Sequence, residues 1–156
     1  MNDATREVIA LSLDDLQRKR VIVQSELTTD AAVVTGDRIQ LQQVILNLLR
    51  NASDAMADVQ ERPRHVLIRT DSEDNGCVRL TVRDTGVGLG GQNMDKLFDS
   101  FYTTKSGGMG IGLSVSRAIV ERHHGRLWAE PNDGPGATFA FSVPGCPEGV
   151  ANISSA

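Results

Sequence analysis

The sequence predicts an α+β domain in which helices lie beside a mixed β-sheet. Three observations carry that expectation. The chain has 156 residues, the length of one domain with one hydrophobic core. Between Asp37 and Met56, apolar residues recur at the 3.6-residue helical period for about four turns. Around this helix, short runs rich in β-branched residues come in pairs. The elements therefore read helix, strand, strand, helix, strand, strand, loop, helix, strand, strand, with no internal repeat and no second domain.

Asp3 to Arg18 reads as a short helix whose apolar residues are Val8, Ile9, Leu11 and Leu16. Val21 to Leu27 is a strand, and Val33-Val34 a second, short one ahead of Gly36. Asp37 is suited to cap the long helix, which carries Leu41, Val44, Ile45, Leu48, Leu49, Ala52, Ala55 and Met56. Val66 to Thr70 and Val78 to Val82 form an antiparallel hairpin around a turn at Asp74-Asn75-Gly76. A glycine-rich interval follows, with a short helical piece from Met94 to Phe98. Ile111 to His123 is the third main helix, carrying Leu113, Val115, Ala118, Ile119 and Val120. Gly125 is its expected C-cap, and protonated His123 and His124 would complement its C-terminus. Arg126 to Ala129 and Ala137 to Val143 are the last strands, joined by a turn from Pro131 to Gly134. We take residues 1–156 as a single domain, with a core from about 8 to 144 and a polar tail over 145–156.

The chain is 40% hydrophobic and 23% charged, an ordinary globular composition that argues against disorder. Sixteen basic against twenty acidic side chains give a net charge of −4, which excludes a generic nucleic-acid binder with a basic face. No run approaches the ~18 apolar residues of a membrane helix, and Met1 to Ala10 lacks the shape of a signal peptide. Cys77 and Cys146 form no CxxC or Cys/His cluster, which suits a reduced compartment. A cytoplasmic domain without membrane contact is expected. Glycine is the exception to this ordinary picture: eight of the fifteen fall between Gly86 and Gly112, with no proline among them.

Three clusters carry chemistry. Asn47 and Asn51 lie four apart on the long helix and so project from one face. They are either polar residues on a solvated stripe or carboxamide ligands, since an amide oxygen is a neutral, hard donor for Mg²⁺. Asp84-Thr-Gly-Val-Gly88 follows a strand end. It is either an ordinary Asp-x-Gly turn or a carboxylate accepting a hydrogen bond from an exocyclic amine such as adenine N6, with glycines approaching the flat ring. Gly107 to Leu113 opens a helix with glycines, whose free backbone N–H groups and positive helix end suit phosphate oxygens. It is neither GxxxxGK[ST] nor GxGxxG, because no Lys follows Gly112 and position 113 is Leu113.

In this order, the segments resemble the ATP-binding domain of sensor histidine kinases, within the gyrase/Hsp90/histidine kinase/MutL ATPase superfamily. Asn47-Leu-Leu-Arg-Asn-Ala52 is similar to the N box, Asp84 to Gly88 to the G1 box and Phe98-Asp-Ser-Phe101 to the F box. Gly108-Met-Gly-Ile-Gly-Leu113 is similar to the G2 box and Gly136-Ala-Thr-Phe139 to the G3 segment. The resemblance runs from about Val8 to Pro144. It implies a two-layer α/β sandwich of Bergerat type, a mixed five-stranded sheet covered by three helices, with an ATP lid. By the same resemblance Asn51 would be the Mg²⁺ ligand with Asn47 beside it, and Asp84 would hold adenine N6 with Thr138 nearby. Gly86 and Gly88 would frame the adenine side, and Gly108, Gly110, Ile111, Gly112 and Leu113 the phosphates. The lid would span residues 90–108, anchored by Phe98 and Phe101.

Two departures from the family pattern matter. Phe101-Tyr102 is followed by Thr103-Thr104-Lys105 where many members place an Arg, a variant resembling the nitrogen-regulation and oxygen-sensing branch. Thr103, Thr104 and Lys105 are then nucleotide-side residues, with Lys105 the candidate cation for the β/γ-phosphates, a point charge in place of a planar fork. Asp54 stands where many members have Lys, which places more reliance on Lys105.

The superfamily's hydrolases use a Glu where this chain has Asn47, and a carboxamide cannot take a proton from water at neutral pH. The reaction implied is phosphoryl transfer from Mg-ATP to a better nucleophile, with Asn47, Asn51 and Lys105 as catalytic candidates. His65, His123 and His124 have no surroundings resembling a phosphoacceptor motif. The expected partners are thus a dimerisation and histidine-phosphoacceptor domain, normally N-terminal in the same polypeptide, and a downstream response regulator. The domain itself is expected to be monomeric. The alternatives are a non-catalytic module that senses adenine nucleotides, or an anti-sigma-type serine kinase of the same superfamily.

Overall fold

The structure, a computed structural model, describes residues 1–28, 33–34, 36–73, 75–88, 98 and 112–146. Its elements follow the expected order: α1 (Asn2–Arg18), β1 (Val21–Leu27), β2 (Val33–Val34), α2 (Arg38–Ala55), β3 (Arg64–Ser72), β4 (Cys77–Asp84), α3 (Gly112–Arg122), β5 (Arg126–Pro131) and β6 (Ala137–Cys146). The helical piece expected at Met94 to Phe98 falls outside the described residues, Phe98 excepted.

Five strands build a mixed sheet in the order β1-β3-β4-β6-β5. β1 runs parallel to β3, and the other pairs are antiparallel. The two-residue β2 pairs with the end of β6, Val33 opposite Cys146 and Val34 opposite Gly145. The sheet therefore runs through Gly145 and Cys146, which had been expected to belong to the polar tail. Pro131 closes β5, an edge strand where a missing N–H costs no ladder bond.

Period-2 alternation sends Val66 and Ile68 of β3, and Val78, Leu80 and Val82 of β4, to the face beneath the helices. Above them, α2 lays down Val44, Ile45, Leu48 and Leu49, each 0–1% exposed. Burial of each such side chain contributes roughly 1.5–3 kcal/mol. Asp37 caps α2 as its residue type suggested, accepting from Ile39 N at 2.9 Å and Gln40 N at 3.2 Å. α1 buries Ala4, Val8, Ser12 and Leu16, a strict i+4 stripe, and so leaves Leu11 at the surface. Leu11 flanks this stripe and is 79% exposed, although composition alone groups it with the apolar residues.

The end of α3 differs from expectation in two ways. The left-handed residue is His124, φ 63°, not Gly125. Gly125 N–H reaches Val120 O and His124 N–H reaches Glu121 O, a Schellman closure. Gly125 is required because a Cβ there would overlap the Ser142 carbonyl of β6. His123 is not placed as a cation: its Nδ1 faces Ile119 O at 2.8 Å, while Nε2 accepts from Asp37 N–H at 2.9 Å. That pairing selects the neutral Nδ1–H tautomer. The ring also lies directly over Gly36, so the end of α3 and the start of α2 are one packed unit.

Candidate functional site

The inward series of β4 ends on a carboxylate. After Val78, Leu80 and Val82, the same face presents Asp84, only 1% exposed. Its Oδ1 accepts from Gly86 N at 2.9 Å and from Ala137 N at 3.2 Å, which sets the carboxylate's orientation. Asn132 Nδ2 donates to the Asp84 carbonyl at 2.9 Å and to Pro135 O at 3.0 Å, tying the β5–β6 turn to the strand end. Gly136 has φ 92°, and a Cβ there would overlap the Asp84 carbonyl oxygen. Gly88 has φ 77° and lies against Gly136, where an added Cβ would stand 3.3 Å from its carbonyl oxygen. Both glycines are needed for the two turns to close beside Asp84.

The turn after Asp84 is pressed onto the last turn of α2. Val87 N donates to Ala55 O at 3.0 Å, and a Cβ on Gly86 would overlap the same carbonyl. Ala55 lies one helical turn beyond Asn51, so α2 carries the carboxamides and also braces the carboxylate turn. From the other side, the Arg62 guanidinium donates to Thr85 O and Gly86 O. Thr85 Oγ1 donates to Pro63 O at 2.8 Å and accepts from His65 N at 3.0 Å.

Asn47 joins α2 to the start of α3. Its Nδ2 donates to Gly112 O at 3.2 Å and to Ser116 Oγ at 3.1 Å, and Oδ1 accepts from Gln43 at 3.1 Å. The amide nitrogen is thus committed to positioning α3, and the amide oxygen keeps one lone pair for a ligand. Asn51 is half-buried one turn further along α2. Among the described residues, no group of three or more His, Cys, Asp or Glu side chains could hold a metal. The amide oxygens of Asn47 and Asn51 are neutral, hard donors, a type that suits Mg²⁺ when phosphate and water complete the coordination.

Thr138 joins this arrangement only through Asn132. Thr138 pairs in register with Arg83, so alternation puts it on the sheet face opposite Asp84. Its hydroxyl donates to Asn132 Oδ1 at 2.6 Å. Ala137, one residue earlier, supplies the contact to Asp84, through its backbone. Leu113 is half-buried against the core. Phe98 is buried edge-on against Phe139, with centroids 6.4 Å apart at 75°. Phe101, Thr103, Thr104, Lys105, Gly108, Gly110 and Ile111 lie outside the described residues.

Four contributors had not been anticipated. Ser116 is a fully buried serine one turn into α3, a pattern that could have drawn attention. Asn132 sits in a recognisable turn sequence. Arg62 and the Ala137 amide gave no signal, because their partners are backbone groups of distant segments.

Residues 36–146 match the family described as histidine kinase-, DNA gyrase B-, and HSP90-like ATPase. The chain is 44% identical over 142 residues to sensor protein FixL of Bradyrhizobium diazoefficiens, which spans 91% of this chain and 28% of FixL. The catalytic domain of histidine kinase ThkA superposes with a TM-score of 0.82 at 31% identity, over 95% of this chain and 94% of that one. Full-length ShkA in complex with AMPPNP superposes with a TM-score of 0.80 at 25% identity, over 92% of this chain and 30% of that one. The chain spans about a quarter of the length of FixL and of similar sensor proteins. Among the described residues, no helix is long and apolar enough to cross a membrane. With ordered motifs, a matching sandwich and relatives of one kind, the chain belongs to the histidine kinase-, DNA gyrase B- and HSP90-like ATPase family.

Proposed function

We propose that this domain binds Mg-ATP and passes the γ-phosphoryl group to a histidine on a phosphoacceptor domain outside the chain, in two-component signalling. The observation that carries this reading is a pair of anchorages on α2, one at mid-helix and one at its C-terminal end. Near its C-terminus the helix braces a buried carboxylate turn suited to adenine, and at Asn47 it holds the start of α3, where a phosphate would meet a helix N-terminus. The likeness to ShkA, solved with the nucleotide analogue AMPPNP, supports an adenine nucleotide as ligand.

In this reading Asp84 accepts from adenine N6, while Gly86 and Gly88 let the backbone approach the ring. Asn51 and the Asn47 oxygen would hold Mg²⁺, which when bound neutralises charge on the transferring phosphoryl group. By the family resemblance, Lys105 with Thr103 and Thr104 would be the cation-bearing segment for the same phosphates, and Gly108, Gly110 and Gly112 would be their glycine loop. Asn47 cannot serve as a general base, so the site leaves water unactivated and orients the phosphoryl group for a better nucleophile. A neutral imidazole, with pKa ~6.5, meets that need without a strong base. The acceptor domain, a downstream response regulator and a cytoplasmic setting complete the proposal, and the share of FixL beyond this chain leaves room for the first.

The test mixes the domain with Mg-[γ-³²P]ATP and the dimerisation domain of the full-length protein. An acid-labile, base-stable phosphohistidine is the expected product. Bound nucleotide with no labelled histidine would support a sensing module, and an acid-stable phosphoserine would support a serine kinase.

A further inference from the structure

We infer that Arg62 is a positioning residue for adenine recognition, acting through the backbone of the turn between Asp84 and Gly88. This rests on the reading of that turn as the adenine-side contact. Arg62 lies in the α2–β3 connection and touches none of the residues proposed to bind Mg²⁺ or phosphate. Its side chain is 27% exposed. Nε donates to Thr85 O at 2.8 Å and Nη2 donates to Gly86 O at 2.7 Å, while Nη1 pairs with Glu61 at 2.7 Å.

The two carbonyls belong to consecutive peptide planes, and each plane is held at its other end as well. The Thr85 carbonyl shares a rigid plane with the Gly86 N–H, which donates to Asp84 Oδ1. The Gly86 carbonyl shares a plane with the Val87 N–H, which donates to Ala55 O. Rotation of the first plane would withdraw the Gly86 N–H donor from the Asp84 carboxylate. Arg62 thereby fixes where the carboxylate points, although it makes no contact with it. A planar guanidinium spans two neighbouring carbonyls at once, whereas a lysine ammonium would reach them as a single point charge.

Arg64 supplies an internal control. It makes a similar three-way clasp, to Val59 O, Lys19 O and Ala57 O, and none of these lies in the Asp84 turn. A residue that merely staples the α2–β3 connection should behave like Arg64.

The experiment compares ATP with purine riboside triphosphate, which lacks the N6 amine, by calorimetric titration in Mg²⁺. Arg62→Ala is expected to weaken ATP binding about tenfold, as for loss of a hydrogen bond to a charged group, and to change purine riboside triphosphate binding little. Arg62→Lys should show the same loss of discrimination in weaker form, and serves if the alanine variant does not fold. In nucleotide-free protein, the Gly86 and Val87 amides should exchange hydrogen faster in either variant. Arg64→Ala should retain discrimination while lowering the unfolding midpoint. Equal weakening for both nucleotides in Arg62→Ala, or lost discrimination in Arg64→Ala, would overturn the inference. A wild-type domain that binds both nucleotides equally would instead overturn the adenine reading of Asp84, and this inference with it.

Discussion

Asn47 Nδ2 stands 3.1 Å from Ser116 Oγ, so one side chain on α2 sets the position of α3 from inside the fold. The same nitrogen also reaches the Gly112 carbonyl, the first residue of α3. Helices that would face the two ends of a nucleotide are thus coupled by a neutral amide, the residue type that leaves water unactivated.

That coupling is measurable. A double-mutant cycle on Asn47→Ala and Ser116→Ala, read by urea unfolding, should give an interaction energy of about 0.5–1.5 kcal/mol. Additive behaviour would show that the contact does not hold α3.

Gly136→Ala should be among the most damaging single-methyl changes in the chain. It places a Cβ against the Asp84 carbonyl and asks alanine to adopt φ 92°. We expect a loss of about 2–4 kcal/mol in denaturant unfolding. Gly134→Ala, two residues away with open space around it, should cost far less.

His123 should be found as the neutral Nδ1–H tautomer by ¹⁵N NMR at pH values where the domain is folded and the imidazole uncharged. Its Nε2 is the acceptor for Asp37 N–H. His123→Ala leaves that amide and the Ile119 carbonyl without the ring, and should cost about 1–3 kcal/mol. A protonated Nε2 in the native tautomer would contradict the arrangement.

Asp84 and Thr138 should separate cleanly in binding. Asp84→Asn should abolish the preference for ATP over GTP, because an amide can donate where the carboxylate only accepts. Thr138→Val, on the other face of the sheet, should keep the preference for ATP over GTP, since it leaves the Asp84 carboxylate unchanged and removes only the hydroxyl's bond to Asn132. Calorimetric titration of both variants decides it.

Much of this was legible in local pattern. The 3.6-residue period of α2, the Asp37 cap and the alternation of β3 and β4 each depend on neighbours a few residues apart. The ordered Asn, Asp-x-Gly and glycine clusters were visible for the same reason, since backbone approach and helix N-termini demand particular residue types at short spacing. Even the inward placement of Asp84 could be read by continuing the β4 alternation past Val82.

What only the tertiary structure decided are relationships between segments far apart in sequence. Thr138 was assigned to the site by its motif, but strand register with Arg83 sends it to the opposite face. His123 was expected as a helix-end cation, yet Asp37 N–H, 86 residues away in sequence, makes it an acceptor. Arg62 carries no local mark of its role, because its partners are carbonyl oxygens that every residue possesses, and only folding selects which of them it meets. The sequence by itself determined the α+β class, the element order and the residue types able to bind a nucleotide, all consequences of short-range periodicity and side-chain chemistry. The fold decided which backbone groups hold those residues in place, because backbone hydrogen bonds are chemically uniform and become specific only through three-dimensional proximity.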